Sequence, residues 1–162
     1  MTPLVGMLMG SRSDMPVMEK GAALLTELGV AHEVRVMSAH RTPDLVAGYA
    51  SGAADRGVRV IVAAAGGAAH LAGVVAAHTL LPVIGVPIAT QLSGGLDSLL
   101  STVQMPRGVP VATVSVGGAE NAALLAAEIL ALGDPELHAR LVEFRARQAR
   151  AILEDETNRP QR

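Results

Sequence analysis

The chain has 162 residues, 13 Lys plus Arg against 15 Asp plus Glu and no cysteine, a length that suits one compact domain. The near-neutral balance offers no electrostatic footprint to nucleic acid or to an anionic membrane surface, and the missing cysteines exclude disulfide staples and thiolate metal sites. Half the residues are apolar, yet there is one tyrosine, one phenylalanine and no tryptophan, so the core must be built from Ala, Val, Leu, Ile and Met.

The first apolar run, "LVGMLM" (4–9), is short and bounded by Pro3 and Gly10, and reads as a strand. It ends in "GSRSD", Gly10 to Asp14. A glycine free to take an unusual backbone angle, the hydroxyls of Ser11 and Ser13 and the free N–H groups of a helix start together suit a phosphate, while Asp14 suits two ribose hydroxyls. Capping of the helix by Ser13 or Asp14 is the plainer alternative, and this loop taken alone favours it. The further glycines of a dinucleotide fingerprint and the Gly-Lys-Ser/Thr of a P-loop are both missing. A helix follows over 14–29, with Met15, Met18, Leu24, Leu25 and Leu28 on one side.

The second strand, "HEVRVM" (32–37), exits into "SAHRTP", where Pro43 opens a helix over 43–56. His40 can hold and release a proton near neutral pH, and Arg41 can fork onto the same phosphate, with Ser38 beside them. A single histidine is more often a structural one satisfied by backbone; what favours chemistry is the position of His40 at a strand exit. The third strand (58–65) runs into "AAAGGAAHLAG" (63–73). Gly66, Gly67 and Ala68 either bring backbone close to a small ligand and leave little room for water, or serve tight helix packing. His70, in the first turn of a helix over 68–80, is either a neutral donor to a ligand or a buried cap.

A fourth strand (82–87) precedes "QLSGGLDSLLSTVQMP" (91–106), a polar glycine loop and a short helix over 96–104, placed to reach across a subunit boundary. A fifth strand (109–116) and a helix over 119–132 complete the pattern. Asp134 as N-cap, Pro135 at the first helical position and Glu136 in the first turn announce an appended amphipathic helix, with Leu137, Leu141, Phe144 and Ile152 on one side. Its acidic residues offset its arginines, so it reads as an oligomer clasp rather than a nucleic-acid arm. Residues 1–156 form a single α/β domain on this reading, and 157–162 a disordered tail. The alternation of strand and helix requires parallel strands with helical crossovers on both faces: a three-layer, doubly wound α/β sandwich of about five strands, flavodoxin/Rossmann-like. In such sheets a ligand sits outside the carboxyl ends of the strands, so the loops after the first four strands are where chemistry belongs.

The N-terminal stretch reaches charge too soon for a secretory signal. Residues 60–96 carry no charge, but Gly66-Gly67, His70, His78, Pro82 and Pro87 cut them into pieces shorter than the ~20 residues of a spanning helix. A cytoplasmic protein that does not enter the membrane is the expectation. Its positive mean hydropathy points to a large subunit interface. The five histidines lack HxH and HExxH spacing, which argues against a zinc site, and Lys20, the one lysine, lies mid-helix.

From about Leu4 to Leu153, the motifs "MGSRSD", "SAHRTP", "AGGAAHL", "PVIGVP", "GLDSLLSTVQMPRGVPVATV" and "NAALLAA" occur in order. With them the chain resembles the bacterial phosphoribosylaminoimidazole carboxylase catalytic subunits, the N5-carboxyaminoimidazole ribonucleotide mutases of class I. The resemblance implies transfer of a carboxylate from nitrogen to ring carbon in de novo purine biosynthesis, without cofactor or metal, by a homo-octamer with active sites at subunit junctions. It implies His40 as general acid and base, Ser13, Ser38 and Arg41 near the phosphate, Asp14 at the ribose, and Gly66, Gly67, Ala68, His70 and Leu71 around the base and carboxylate. Met15 and His78 stand where tryptophan and lysine are common in this class, and the turn at 117–120 is about two residues shorter. A direct CO2-dependent carboxylase is the close alternative. A nucleotide-binding regulatory module or a purely structural oligomer is more remote.

Overall fold

A computed structural model describes residues 2–158. Five parallel strands, β1 (Val5–Met9), β2 (His32–Val36), β3 (Val60–Gly66), β4 (Val83–Ile88) and β5 (Ala112–Thr113), lie in the order β2-β1-β3-β4-β5. This is the doubly wound order whose direction of travel reverses between β1 and β3. β1 is buried throughout, and β3 and β4 nearly so, which is why their sequences are continuous apolar runs rather than alternating ones. Alternate residues still serve different layers. Met7, Met9, Val60, Val62, Ile84 and Val86 face a core with α1 (Met15–Glu27), α5 (Ala119–Ala131) and α6 (Pro135–Leu153). Leu8, Ile61, Ala63 and Val83 face the other core with α2 (Pro43–Gly52) and α3 (Leu71–Ala77).

Small residues set the spacing of these layers. Five alanines of α5 are buried against the sheet, and a methyl group at Gly21 of α1 would come within 2.6 Å of the Ala119 carbonyl oxygen. At Gly85 of β4 an added methyl would overlap Thr102, so that glycine lets α4 (Leu96–Val103) lie close on the sheet.

Several elements are shorter than the sequence predicts, β5 and α3 most of all. β5 shrinks to two residues at the sheet edge, where Pro110 has no N–H to give to a ladder. α3 begins at Leu71 rather than 68, because Gly67 takes φ +69° and the N–H groups of Gly67 and Ala69 go to side chains of α4. The last helix starts as its sequence announces: Asp134 accepts a hydrogen bond from the Leu137 N–H at 3.0 Å. Leu137 and Leu141 are buried in its own subunit, Arg140 Nε donates to the Leu28 carbonyl at 2.8 Å, and Arg145 and Arg147 pair with Glu128 and Glu27. Of the expected tail, Thr157 and Asn158 fall in a 3-10 turn, and 159–162 lie outside the described residues. Among the described residues no helix is long and apolar enough to cross a membrane.

Candidate active site

At the carboxyl ends of β1, β2, β3 and β4, astride the reversal point, lies a cleft of about 430 Å³. Ser11, Ser13, Asp14, Ser38, His40, Arg41, Gly66, Ala68, His70 and Leu71 all line it, together with Gly10, Ala39, Ala65, Ile88 and Ala89. Of the sequence-predicted residues only Gly67 is absent from the lining. Its N–H points away from the cleft to Ser98.

The strand exit at 38–43 is built by its own hydroxyls. Ser38 Oγ accepts the N–H groups of His40 (3.3 Å) and Arg41 (3.2 Å), while Thr42 Oγ1 accepts the Ser38 N–H (2.9 Å) and donates to the Ser38 carbonyl (3.1 Å). Local side-chain bonds of this kind replace ladder bonds and fix a turn. The turn projects two exposed side chains, and each finds a partner from another strand end. Arg41 Nη2 donates to the Gly10 carbonyl at 2.6 Å, which brings the guanidinium to the loop after β1. His40 Nε2 lies 2.8 Å from His70 Nδ1, with the rings nearly perpendicular at 87°.

That imidazole pair holds one proton between its two nitrogens. With His70 neutral and Nδ1 bare, His40 is the donor; with His70 in the other tautomer, His40 Nε2 is the acceptor. The bond therefore accommodates His40 as an acid or as a base. His70 stands at the N-cap position of α3 without making a cap bond, and it is exposed, so the buried-cap alternative does not hold.

In the loop after β1, Ser11 caps the short 3-10 turn Arg12–Asp14, accepting the Ser13 N–H at 3.3 Å and the Ser13 hydroxyl at 2.8 Å. The single Ser13 hydroxyl hydrogen has two acceptors within reach, Ser11 Oγ and Asp14 Oδ1; when it goes to Asp14, the Ser11 hydroxyl becomes the donor of the Ser11–Ser13 pair. Gly10 does not need the left-handed angle expected of it: it is not among the positive-φ glycines, and its N–H extends the β1 ladder to Ala64 at 3.1 Å. Asp14 occupies the N-cap position of α1 but makes no cap bond, contrary to the plainer reading of this loop. Its carboxylate instead receives the Ser13 hydroxyl at 3.2 Å. Burial raises the Asp14 carboxyl above its ordinary pKa, against the lowering pull of the Ser13 hydroxyl, the Ser11 backbone and the Arg41 guanidinium.

Sequence reasoning missed the support behind the third loop. Ser98 and Ser101 of α4 bond to the backbone of residues 67–69, and Thr90 Oγ1 donates to Asp97 Oδ1 at 2.6 Å. That hydroxyl is the main reason the Asp97 carboxyl sits below its ordinary pKa. The signal was present: serines three apart on a helix share a face, and this helix follows the carboxyl end of β4.

The sequence profile of AIR carboxylase matches residues 4–151. The chain belongs to the AIR carboxylase family. It is 60% identical over 150 residues to the N5-carboxyaminoimidazole ribonucleotide mutase of Mycobacterium tuberculosis, covering 93% of this chain and 86% of that one. It is 54% identical over 152 residues to the protein of the same name from Thermotoga maritima, covering 94% and 89%. Among solved structures, Treponema denticola PurE superposes with a TM-score of 0.88 at 33% identity, covering 98% of this chain and 99% of that one. The cleft of this AIR carboxylase family member therefore sits on a five-stranded fold that it shares with a solved relative.

Proposed function

We propose that the chain is an N5-carboxyaminoimidazole ribonucleotide mutase, which moves the carboxylate of its substrate from the exocyclic nitrogen to the neighbouring ring carbon. The observation that carries the reading is the His40–His70 pair at 2.8 Å, set between a hydroxyl-rich loop and a Gly-Ala loop at the point where the strand order reverses. The names of the relatives, at 52–60% identity, supply the substrate.

In the first half-reaction the carbamate N–C bond breaks, its electron pair stays on nitrogen, and protonated His40 delivers a proton there as CO2 forms. In the second, the electron-rich ring carbon attacks CO2, a C–C bond forms, and neutral His40 removes the ring proton. The proton count returns to its start, and one imidazole serves both steps. Arg41, Ser11, Ser13 and Ser38 hold the phosphate and Asp14 the ribose, so that contacts remote from the reacting atoms keep the ring in register. Gly66, Ala68 and Leu71 leave CO2 little polar company and little water. The scheme asks for no cofactor, metal or ATP, and a homo-octamer in the cytoplasm is the assembly and setting we assign to it.

A second reading, direct carboxylation of aminoimidazole ribonucleotide by CO2, draws on a relative 54% identical over 152 residues and named phosphoribosylaminoimidazole carboxylase, chloroplastic, of which the chain covers 27%. Rates with the carbamate substrate and with aminoimidazole ribonucleotide plus bicarbonate, measured side by side, decide between them. The mutase reading requires the carbamate to be consumed much faster at equal concentration, and a faster reaction from bicarbonate overturns it.

A further inference from the structure

Two hydroxyls that never reach the cleft hold the backbone of one of its walls. Between β3 and α3 the segment 66–70 turns sharply at Gly67, and three of its backbone groups look away from the cleft toward α4. The Gly67 N–H donates to Ser98 Oγ at 2.9 Å, the Ala69 N–H donates to Ser101 Oγ at 3.0 Å, and Ser101 Oγ lies 2.9 Å from the Gly67 carbonyl. Ser98, fully buried, passes its own hydrogen to the Ile88 carbonyl at 2.6 Å, which ties the loop to the end of β4 as well. Ser101 has one hydroxyl hydrogen and two close acceptors for it, the carbonyls of Gly67 and of Asp97 (2.6 Å), so its accepting bond from Ala69 is the constant one.

The other side of the same segment presents Gly66, Ala68 and His70 to the cleft. Backbone that is fixed from behind by two serines cannot widen in front. We infer that Ser98 and Ser101 are positioning residues that keep CO2 in the cleft between the two half-reactions, by clamping residues 67–69 and, through them, His70 against His40. The inference rests on the mutase reading. It predicts an effect on the fate of CO2 that packing alone would not produce. With the wall slack, the carbamate bond breaks as before and His40 delivers its proton to nitrogen. CO2 then diffuses away and is hydrated to bicarbonate, aminoimidazole ribonucleotide leaves uncarboxylated, and His40 is reprotonated from water.

The test uses the full-length protein and N5-carboxyaminoimidazole ribonucleotide carrying a 13C-labelled carbamate, and counts label found in the C-carboxylated product against label released. Ser101→Ala is expected to raise the released fraction about tenfold over wild type, after subtraction of the uncatalysed loss, while the rate of carbamate loss changes less than about threefold. Ser101→Thr, which keeps the hydroxyl, is expected to restore retention. A folded Ser101→Ala protein with wild-type partition, or one in which both rates fall together, overturns the inference. Hydrogen exchange of the peptide covering 66–71 gives a readout independent of turnover: faster exchange in Ser98→Ala and Ser101→Ala supports the clamp, and unchanged exchange overturns it. Wild-type protein that leaves the labelled carbamate untouched sinks the mutase reading, and the exchange rates then decide the clamp alone.

Discussion

Both ends of the sheet are recessed, and they differ in kind rather than in size. The carboxyl-end cleft, about 430 Å³, is lined by hydroxyls, two imidazoles, a guanidinium and a carboxylate. The amino-end groove, about 330 Å³, is lined by Leu80, Leu81, Pro82, Pro110 and Ile129 among others, with no titratable side chain. The topology explains the asymmetry. Helices that leave the carboxyl ends of strands begin there, so their free N–H groups and positive dipole ends gather on that side, while the opposite end collects carbonyls that would repel an anion. A hole of useful volume therefore says little about function. The sign of the backbone field around it and the side chains at its rim say more.

The sharpest way to break this comparison is to remove the proposed proton carrier from the polar end. His40→Asn should keep the fold, because the side chain is exposed, and lower turnover by about 10²–10⁴-fold. Steady-state assays beside a thermal melt check it, and near-parental turnover would remove His40 from the chemistry. Next in size is Arg41→Gln, which deletes the charge-assisted donors proposed for the phosphate and should raise KM by roughly 10–100-fold with a smaller change in kcat.

Asp14→Asn should weaken ribonucleotide binding by about tenfold and yet stabilise the ligand-free fold. The sign follows from the raised pKa. Where both folded and unfolded chains carry the Asp14 carboxylate, its desolvation opposes folding. As pH falls through the raised folded value, the folded chain takes up the proton first and gains stability relative to the unfolded one. The stabilising contribution is complete below the ordinary carboxylate pKa and is lost as pH rises through the folded value. Denaturant melts from pH 7 downward should therefore show the gap between Asp14→Asn and wild type closing in acid. The smallest effect concerns anions alone: crystals soaked in millimolar phosphate should show it beside Ser11, Ser13 and Arg41, and none in the groove at Leu80 and Pro82.

Much of this was legible without coordinates. The apolar runs name the strands, Asp134-Pro135-Glu136 marks the start of the last helix, and His40 and Arg41 stand visibly at a strand exit. Other features were not legible. That Asp14 would leave its cap bond unmade, and that Gly10 would keep an ordinary φ, depends on which partner each group finds: the adjacent Ser13 hydroxyl reaches Asp14, and β3 offers a carbonyl to Gly10. The α4 serines were read only as part of a polar loop, because nothing in "LDSLLS" says which backbone the hydroxyls will meet.

What the sequence by itself determined depends on neighbours a few residues away: the period of each element, the capped start of the last helix, and the residue types waiting at each strand tip. Only the tertiary structure decided which tips meet. His40 and His70 are 30 positions apart, and Ser98 is 31 from Gly67; both pairs exist because the sheet sets β2 and β3 on either side of β1 and β4 beside β3. Periodicity and capping are short-range preferences of the chain, whereas the order of strands in a sheet is a choice among global packings, and the polar cleft forms where that choice brings the strand tips together.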